Sequence, residues 1–223
     1  MSRIKKSKPF FFQSLEGKEF KYLKKELLTI NGLCPLTGGE WEGIIKNTSK
    51  IMRKDRDEIV SKIKAKLEKI QGPYCIYCGL HEKHCGPLER EHIAPKGYKS
   101  HPQFMFEPQN LALACHHCNF DLKKEYDTIN KINTNYSKCT FNIIHPYFDN
   151  INSHISFVSK EGMVLIKSKR YSRKGRNYIR LFELDSVYNT EKRSGLLIVN
   201  EVKSLNKYDS MLNDILEKKY IQK

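Results

Sequence analysis

"NLALACHHCNF", Asn110 to Phe120, changes character halfway along. Asn110 to Cys115 is a short apolar run of strand length, and the pair Cys115 and Cys118 then opens a segment that reads as a helix from about His116. Upstream, "YCIYCGL" carries a second C-x-x-C pair, Cys75 and Cys78. Between the pairs, "LEREHIAPKGY", Leu88 to Tyr98, begins with another strand-length run. The expected order is strand, loop, strand, helix, with a cysteine knuckle at either end, so that strand and helix face each other.

Two such knuckles offer four thiolates on two tight turns, which suits the tetrahedral coordination of Zn²⁺ and leaves no open position for water. A zinc ion held by Cys75, Cys78, Cys115 and Cys118 is therefore expected to be structural. The nearby "HEKHC", with His81, His84 and Cys85, is also rich in ligand types, but the second pair already completes four ligands, so these read as loop residues. Cys34, Cys85 and Cys139 are left as unassigned thiols. The closed zinc site does not account for Glu91 and His92, a carboxylate directly before an imidazole. They are either strand-end surface residues or, with Asn119 on the facing helix, part of a second site built on harder ligands of the kind Mg²⁺ or Mn²⁺ takes.

The 223 residues suffice for one sizeable core or for a small module with substantial flanks. A formal charge of +15 points to a polyanionic partner, because clustered Lys and Arg gain free energy by releasing counterions from phosphates. Nucleic acid fits better than membrane, since no stretch approaches the roughly 20 apolar residues of a spanning helix. "MSRIKKSKPFFFQ" is basic, but its apolar part is broken by Pro9 and too short for an export signal, which makes a cytoplasmic location the expectation.

The remainder divides around the cysteine segment. Residues 1–72 read as a basic helical region, with a short helix near Phe20 to Leu28 and an amphipathic one from about Ser49 to Ile70, where Met52, Ile59, Ile63, Leu67 and Ile70 recur at helical spacing before Gly72 and Pro73. Residues 73–130 form the module, and residues 131–223 a mixed extension. In the extension, "FNIIHPYFDN", "ISFVSKEGMVLIKS" and "RNYIRLFEL" read as strands or extended segments, and Val202 to Leu216 as a closing helix. The expected class is α+β.

"CIYC", "EHIAPKGY" and "NLALACHHCN", in this order, resemble the zinc-knuckle type of HNH endonuclease over Cys75 to about Lys124. The resemblance implies a ββα-metal core that hydrolyses DNA phosphodiesters with one divalent ion, Mg²⁺ or Mn²⁺. It makes His92 the general base, Glu91 and Asn119 ligands of that ion, and Asn110 the residue that braces the loop and orients the base. Two departures stand out: Glu91 occupies a position where the family most often has Asp, and Leu122 stands where it usually has Lys, the lysines following at Lys123 and Lys124.

"KSKRYSRKGRNYIR", Lys167 to Arg180, holds seven basic residues and no acid. It is either a solvated face or a track for a nucleic-acid backbone, with Tyr rings available for stacking. Lys169, Arg170, Arg173, Lys174 and Arg176 are the candidate contacts here, with Lys96 and Lys123 beside the module. The last third loosely resembles the extension of HNH effectors in bacterial anti-phage systems of the Septu and retron kind, which implies a regulatory ATPase as partner. A reading from another class keeps the fold without the activity: a zinc-knuckle module that binds nucleic acid and cleaves nothing.

Overall fold

The structure, a computed structural model, describes residues 10–45, 51–160 and 163–204. Helix α1 (Lys24–Leu33) starts where Glu26 reaches back to accept from the Leu23 N–H at 2.7 Å, satisfying a helix-end donor. It lies a few residues beyond the expected Phe20 to Leu28. Helix α2 (Arg53–Gln71) follows the expected periodicity from Ile59 on, with Ile59, Val60, Ile63 and Leu67 buried on one face and Gly72, at φ +71°, ending it, but it begins after Met52, which is exposed at its N-cap. Its last residue does more than finish the helix. The Gln71 amide accepts from the Leu113 N–H and donates to the carbonyls of Leu113 and Tyr74, so it tethers α2 to the strand and to the first knuckle.

Next come the one-turn helix α3 (Glu82–Cys85), strand β1 (Leu88–His92) and strand β2 (Leu111–Cys115). The two strands pair antiparallel, with Glu91 opposite Ala112 and His92 opposite Leu111. All five residues of β2 are buried, as expected of an apolar run covered on both faces. The segment after the second knuckle is helical, but it is a π-helix, His117–Lys123. Two further antiparallel pairs follow, β3 (Ile129–Lys131) with β4 (Thr140–Phe141) and β5 (Ile155–Lys160) with β6 (Met163–Ser168), then helices α4 (Arg173–Leu181) and α5 (Val187–Ser204). The class is thus α+β, with small antiparallel strand pairs among helices.

Three expectations for the extension need correction. "RNYIRLFEL" lies largely in helix α4, with Tyr178 and Ile179 buried and Arg173, Arg176 and Arg180 exposed; its aromatic and β-branched content suggests a strand, yet the basic residues recur at helical spacing. "FNIIHPYFDN" contributes only Phe141 to a strand and otherwise turns, held by bonds from Phe148 and Asp149 N–H to the His145 carbonyl. Helix α5 occupies residues expected to precede the closing helix; from residue 205 that expectation lies outside the described residues.

One hydrophobic cluster draws on the whole described chain, from Leu15 and Leu33 through Ile63, Leu67, Tyr77 and Leu113 to Tyr178, Phe182 and Leu184. Tyr178 binds the extension to the module, donating to the carbonyls of Ile76 and Tyr77 in the first knuckle at 3.0 and 2.9 Å. The start of α4 lies so close to the His154 carbonyl that a Cβ on Gly175 would stand 2.3 Å from it, which explains a glycine inside this helix. No described helix is long and apolar enough to cross a membrane.

Candidate functional site

The first knuckle is a tight turn closed by bonds from Cys75 N–H to the Leu80 carbonyl and from Gly79 N–H to the Cys75 carbonyl. Gly79 takes φ +70° beside the Phe12 ring, a conformation and a space that only glycine tolerates. The second knuckle follows β2 directly, and the Cys115 N–H points at the Cys75 sulfur at 3.3 Å. The sulfurs of Cys75, Cys78, Cys115 and Cys118 all lie within 4.8 Å of one another, and Cys78 and Cys115 are 3.9 Å apart. A tetrahedron with zinc–sulfur bonds near 2.3 Å has edges of about 3.8 Å. Burial pushes the Cys75 thiol well above its usual range, whereas hydrogen bonds from Cys118, Cys75 and Cys78 push that of Cys115 down, so a cation is what would hold all four as thiolates. The four residues fit a metal ion such as zinc.

"HEKHC" stays outside this set. His81 caps α3, its Nδ1 accepting from the Lys83 N–H at 3.1 Å, and Cys85 Sγ lies 3.4 Å from the carbonyls of Leu80 and His81. The four-cysteine cluster is the group of three or more His, Cys, Asp or Glu side chains that converges on one point among the described residues.

Alternation along β1 sends its polar residues to opposite faces. His92 points toward the N-terminal region, buried, with the Trp41 ring edge-on at 4.3 Å. Its Nε2 lies 3.0 Å from the Met105 carbonyl. A carbonyl only accepts, so Nε2 carries the proton and Nδ1 the lone pair. Burial above all, with Lys96, Lys123 and Arg90 adding to it, holds the imidazole well below its usual pKa and therefore neutral.

Glu91 points the other way, toward the π-helix. It is 4% exposed, and its Oε1 accepts from the Tyr77 hydroxyl at 2.9 Å and the Lys123 ammonium at 2.7 Å. Burial raises its carboxyl pKa despite the opposing pull of Lys123. Asn119 is turned instead to Glu89, donating to Oε2 at 3.1 Å, while Glu89 Oε1 lies 3.0 Å from His116 Nδ1. Thus Glu91, paired by the sequence with Asn119 as ligands of one divalent ion, has Oε1 engaged by an ammonium and a phenol, while Asn119 turns its amide nitrogen to Glu89. As arranged they do not fit such an ion.

Asn110 is fully buried and ties the loop between the strands together: Oδ1 accepts from the Ala94 N–H at 2.7 Å, and Nδ2 donates to the carbonyls of Phe104 and Ala94. Its support escapes sequence reasoning. The Tyr136 hydroxyl donates to Asn110 Oδ1 at 2.8 Å and so must accept from His145 Nε2 at 3.0 Å, while His145 Nδ1 accepts from the Tyr147 N–H. No motif marks Tyr136, His145 or the Tyr77 and Trp41 rings that wall Glu91 and His92. His101, in the loop between the strands, is 8% exposed and lies 2.9 and 3.0 Å from the two Asp127 carboxylate oxygens.

The basic candidates fall into two groups. Lys96 pairs with Glu42, Lys123 with Glu91 and Lys174 with Asp149, so these charges are committed internally. Lys169, Arg170, Arg173 and Arg176 are exposed and make no ion pair with a described carboxylate; Lys167 and Arg180, equally exposed, extend them into one strip along the end of β6 and the outer face of α4. Tyr171, 85% exposed, stands within the strip. No protein-family model matches the chain, and no curated protein does.

Proposed function

We propose that this chain is a nucleic-acid phosphodiester hydrolase of the HNH kind, built on a zinc-stabilised module and fed by the basic strip. The observation that carries the reading is His92: a neutral imidazole fixed through Nε2 on a backbone carbonyl, in a strand followed by a braced loop, a second strand and a knuckle-led helical turn. A base so held presents Nδ1 as the proton acceptor for a water attacking phosphorus, with cleavage of the bond to the 3′ oxygen. Asn110, through Ala94 and Phe104, fixes the loop whose Met105 carbonyl sets that tautomer. A zinc ion held by the four cysteines would supply folding free energy and no chemistry.

The second reading, a module that binds nucleic acid without cleaving it, is favoured by one observation: the Glu91 carboxylate is already paired with the Lys123 ammonium. Incubation of the purified chain with supercoiled DNA and with RNA, in chelator, Mg²⁺ or Mn²⁺, separates the two. Cleavage that drops about 10²- to 10⁴-fold in His92→Ala with zinc content unchanged supports the hydrolase; wild-type binding without cleavage under every condition leaves the binding module. A restraining ATPase partner in anti-phage defence belongs to the same proposal. It requires that expression of the wild-type chain alone harms the host while His92→Ala does not, and equal growth would remove it.

A further inference from the structure

Lys123 is 2% exposed, Glu91 4% and Tyr77 fully buried. A lysine this deep persists only where its charge is matched, and here the match is a single carboxylate oxygen shared with a phenol. The winding of the chain creates the meeting. His117–Lys123 is π-helical, with the Lys124 N–H bonded to the Asn119 carbonyl, five residues back. The wider turn sets Asn119 against Glu89 and Lys123 against Glu91, matching two helical positions to two carboxylates on one face of β1. Leu122, one residue earlier, is left half-buried at the side.

We infer that Lys123 is the resident cation of this site, so that the place beside β1 where a divalent ion would sit is held by an ammonium, and an ion reaches Glu91 only by displacing it. The inference deepens the hydrolase reading and rests on it for the expectation of an ion here. Glu91 is then a positioning residue that clamps the π-helix to the strand, and Lys123 sets whether metal enters.

The experiment uses the zinc-loaded full chain and Mn²⁺ as probe. In the wild type, the NMR signals of the Tyr77 ring, whose hydroxyl is 2.9 Å from Glu91, should stay sharp through stoichiometric Mn²⁺. Broadening at one equivalent would overturn the inference, and this arm needs no variant to fold. Lys123→Met should bind Mn²⁺ at least about tenfold more tightly than wild type, with the gain lost in Glu91→Gln/Lys123→Met. A folded Lys123→Met with wild-type Mn²⁺ affinity would also overturn it. Cleavage is scored separately on the same preparations: loss of the hydrolase reading would show as no cleavage, whereas loss of this inference would show as Mn²⁺ at Tyr77.

Discussion

The β1–β2 hairpin has two anion-rich sites, one at each end, and the chain treats them in opposite ways. At the knuckle end four buried sulfurs face one another, the first knuckle held by backbone bonds and Gly79, with the buried Arg193 guanidinium acting on Cys78 from nearby. At the other end the buried carboxylate of Glu91 meets an ammonium and a phenol from the protein itself. Buried charge costs free energy unless it is compensated, and the two sites differ in its source: the four sulfurs fit a metal ion from solution, whereas the carboxylate has its cation in the chain. Residue type alone does not separate them, since both consist of recognised ligand side chains. The difference lies in what the neighbouring helical turn delivers: Cys118 to the sulfur cluster, Lys123 to the carboxylate.

The largest effect expected from this comparison is at the knuckles. Cys75→Ser or removal of metal by a strong chelator should abolish the cooperative melt of the described core, because the cluster anchors β2, Ile76 and, through Tyr178, helix α4. Structural zinc contributes on the order of 10 kcal/mol of folding free energy. Elemental analysis should give one zinc per chain; a metal-free protein that melts like the wild type would break the contrast between the two sites.

Much of this was legible in the sequence, for identifiable reasons. Paired C-x-x-C spacing encodes tight turns whose geometry is local, so Cys75, Cys78, Cys115 and Cys118 could be brought together without knowing anything in between. The apolar periodicity of α2 and the strand-length runs of β1 and β2 carried similar local information. The partner of Glu91 was not legible, because it depends on π-helical winding that turns Lys123 inward in place of Leu122, and no local propensity announces a π-helix. Nor was the bracing of Asn110, since Tyr136 and His145 reach it from a region whose turns follow no period. In α4 the spacing of Arg173, Arg176 and Arg180 is helical, but the aromatic and β-branched residues between them favour a strand locally, and only packing of Tyr178 and Ile179 against the core decides between the two.

A smaller effect, graded with pH, should come from the buried imidazoles. Burial depresses the pKa values of both His92 and His145 in the folded chain, whereas an unfolded histidine titrates near 6.5. Below about pH 6.5 the unfolded state therefore binds more protons, so the stability that these groups give above that pH is lost as pH falls toward their folded values. Each imidazole contributes a slope of up to about 1.4 kcal/mol per pH unit in that window. Thermal melts from pH 7.5 to 5 should decline accordingly. His145→Gln, which removes one titrating ring, should be less stable at neutral pH but show a shallower decline; an unchanged slope would contradict the assignment of a neutral buried ring. Following zinc content across the same range separates this decline from metal loss.

The smallest effect on stability, and the sharpest test of where nucleic acid sits, concerns the exposed strip. Arg173, Arg176 and Arg180 occupy the outer face of α4 while Tyr178 and Ile179 hold its inner face to the core, so replacing the three arginines by alanine removes charge without removing packing. Surface substitutions of this kind typically change stability by only about 0.5 kcal/mol each. Binding is another matter, because each phosphate neutralised by the strip releases counterions. Loss of three contacts should reduce the slope of log affinity against log salt by about 2.7 for duplex DNA. Lys174, paired with Asp149, serves as the internal control: Lys174→Ala should leave the salt slope within error of the wild type, since its charge is already committed. A triple variant with the wild-type slope would move the nucleic-acid contact off α4. A large slope change for Lys174→Ala would show that its ion pair opens on binding, and that committed cations such as Lys123 can do so too.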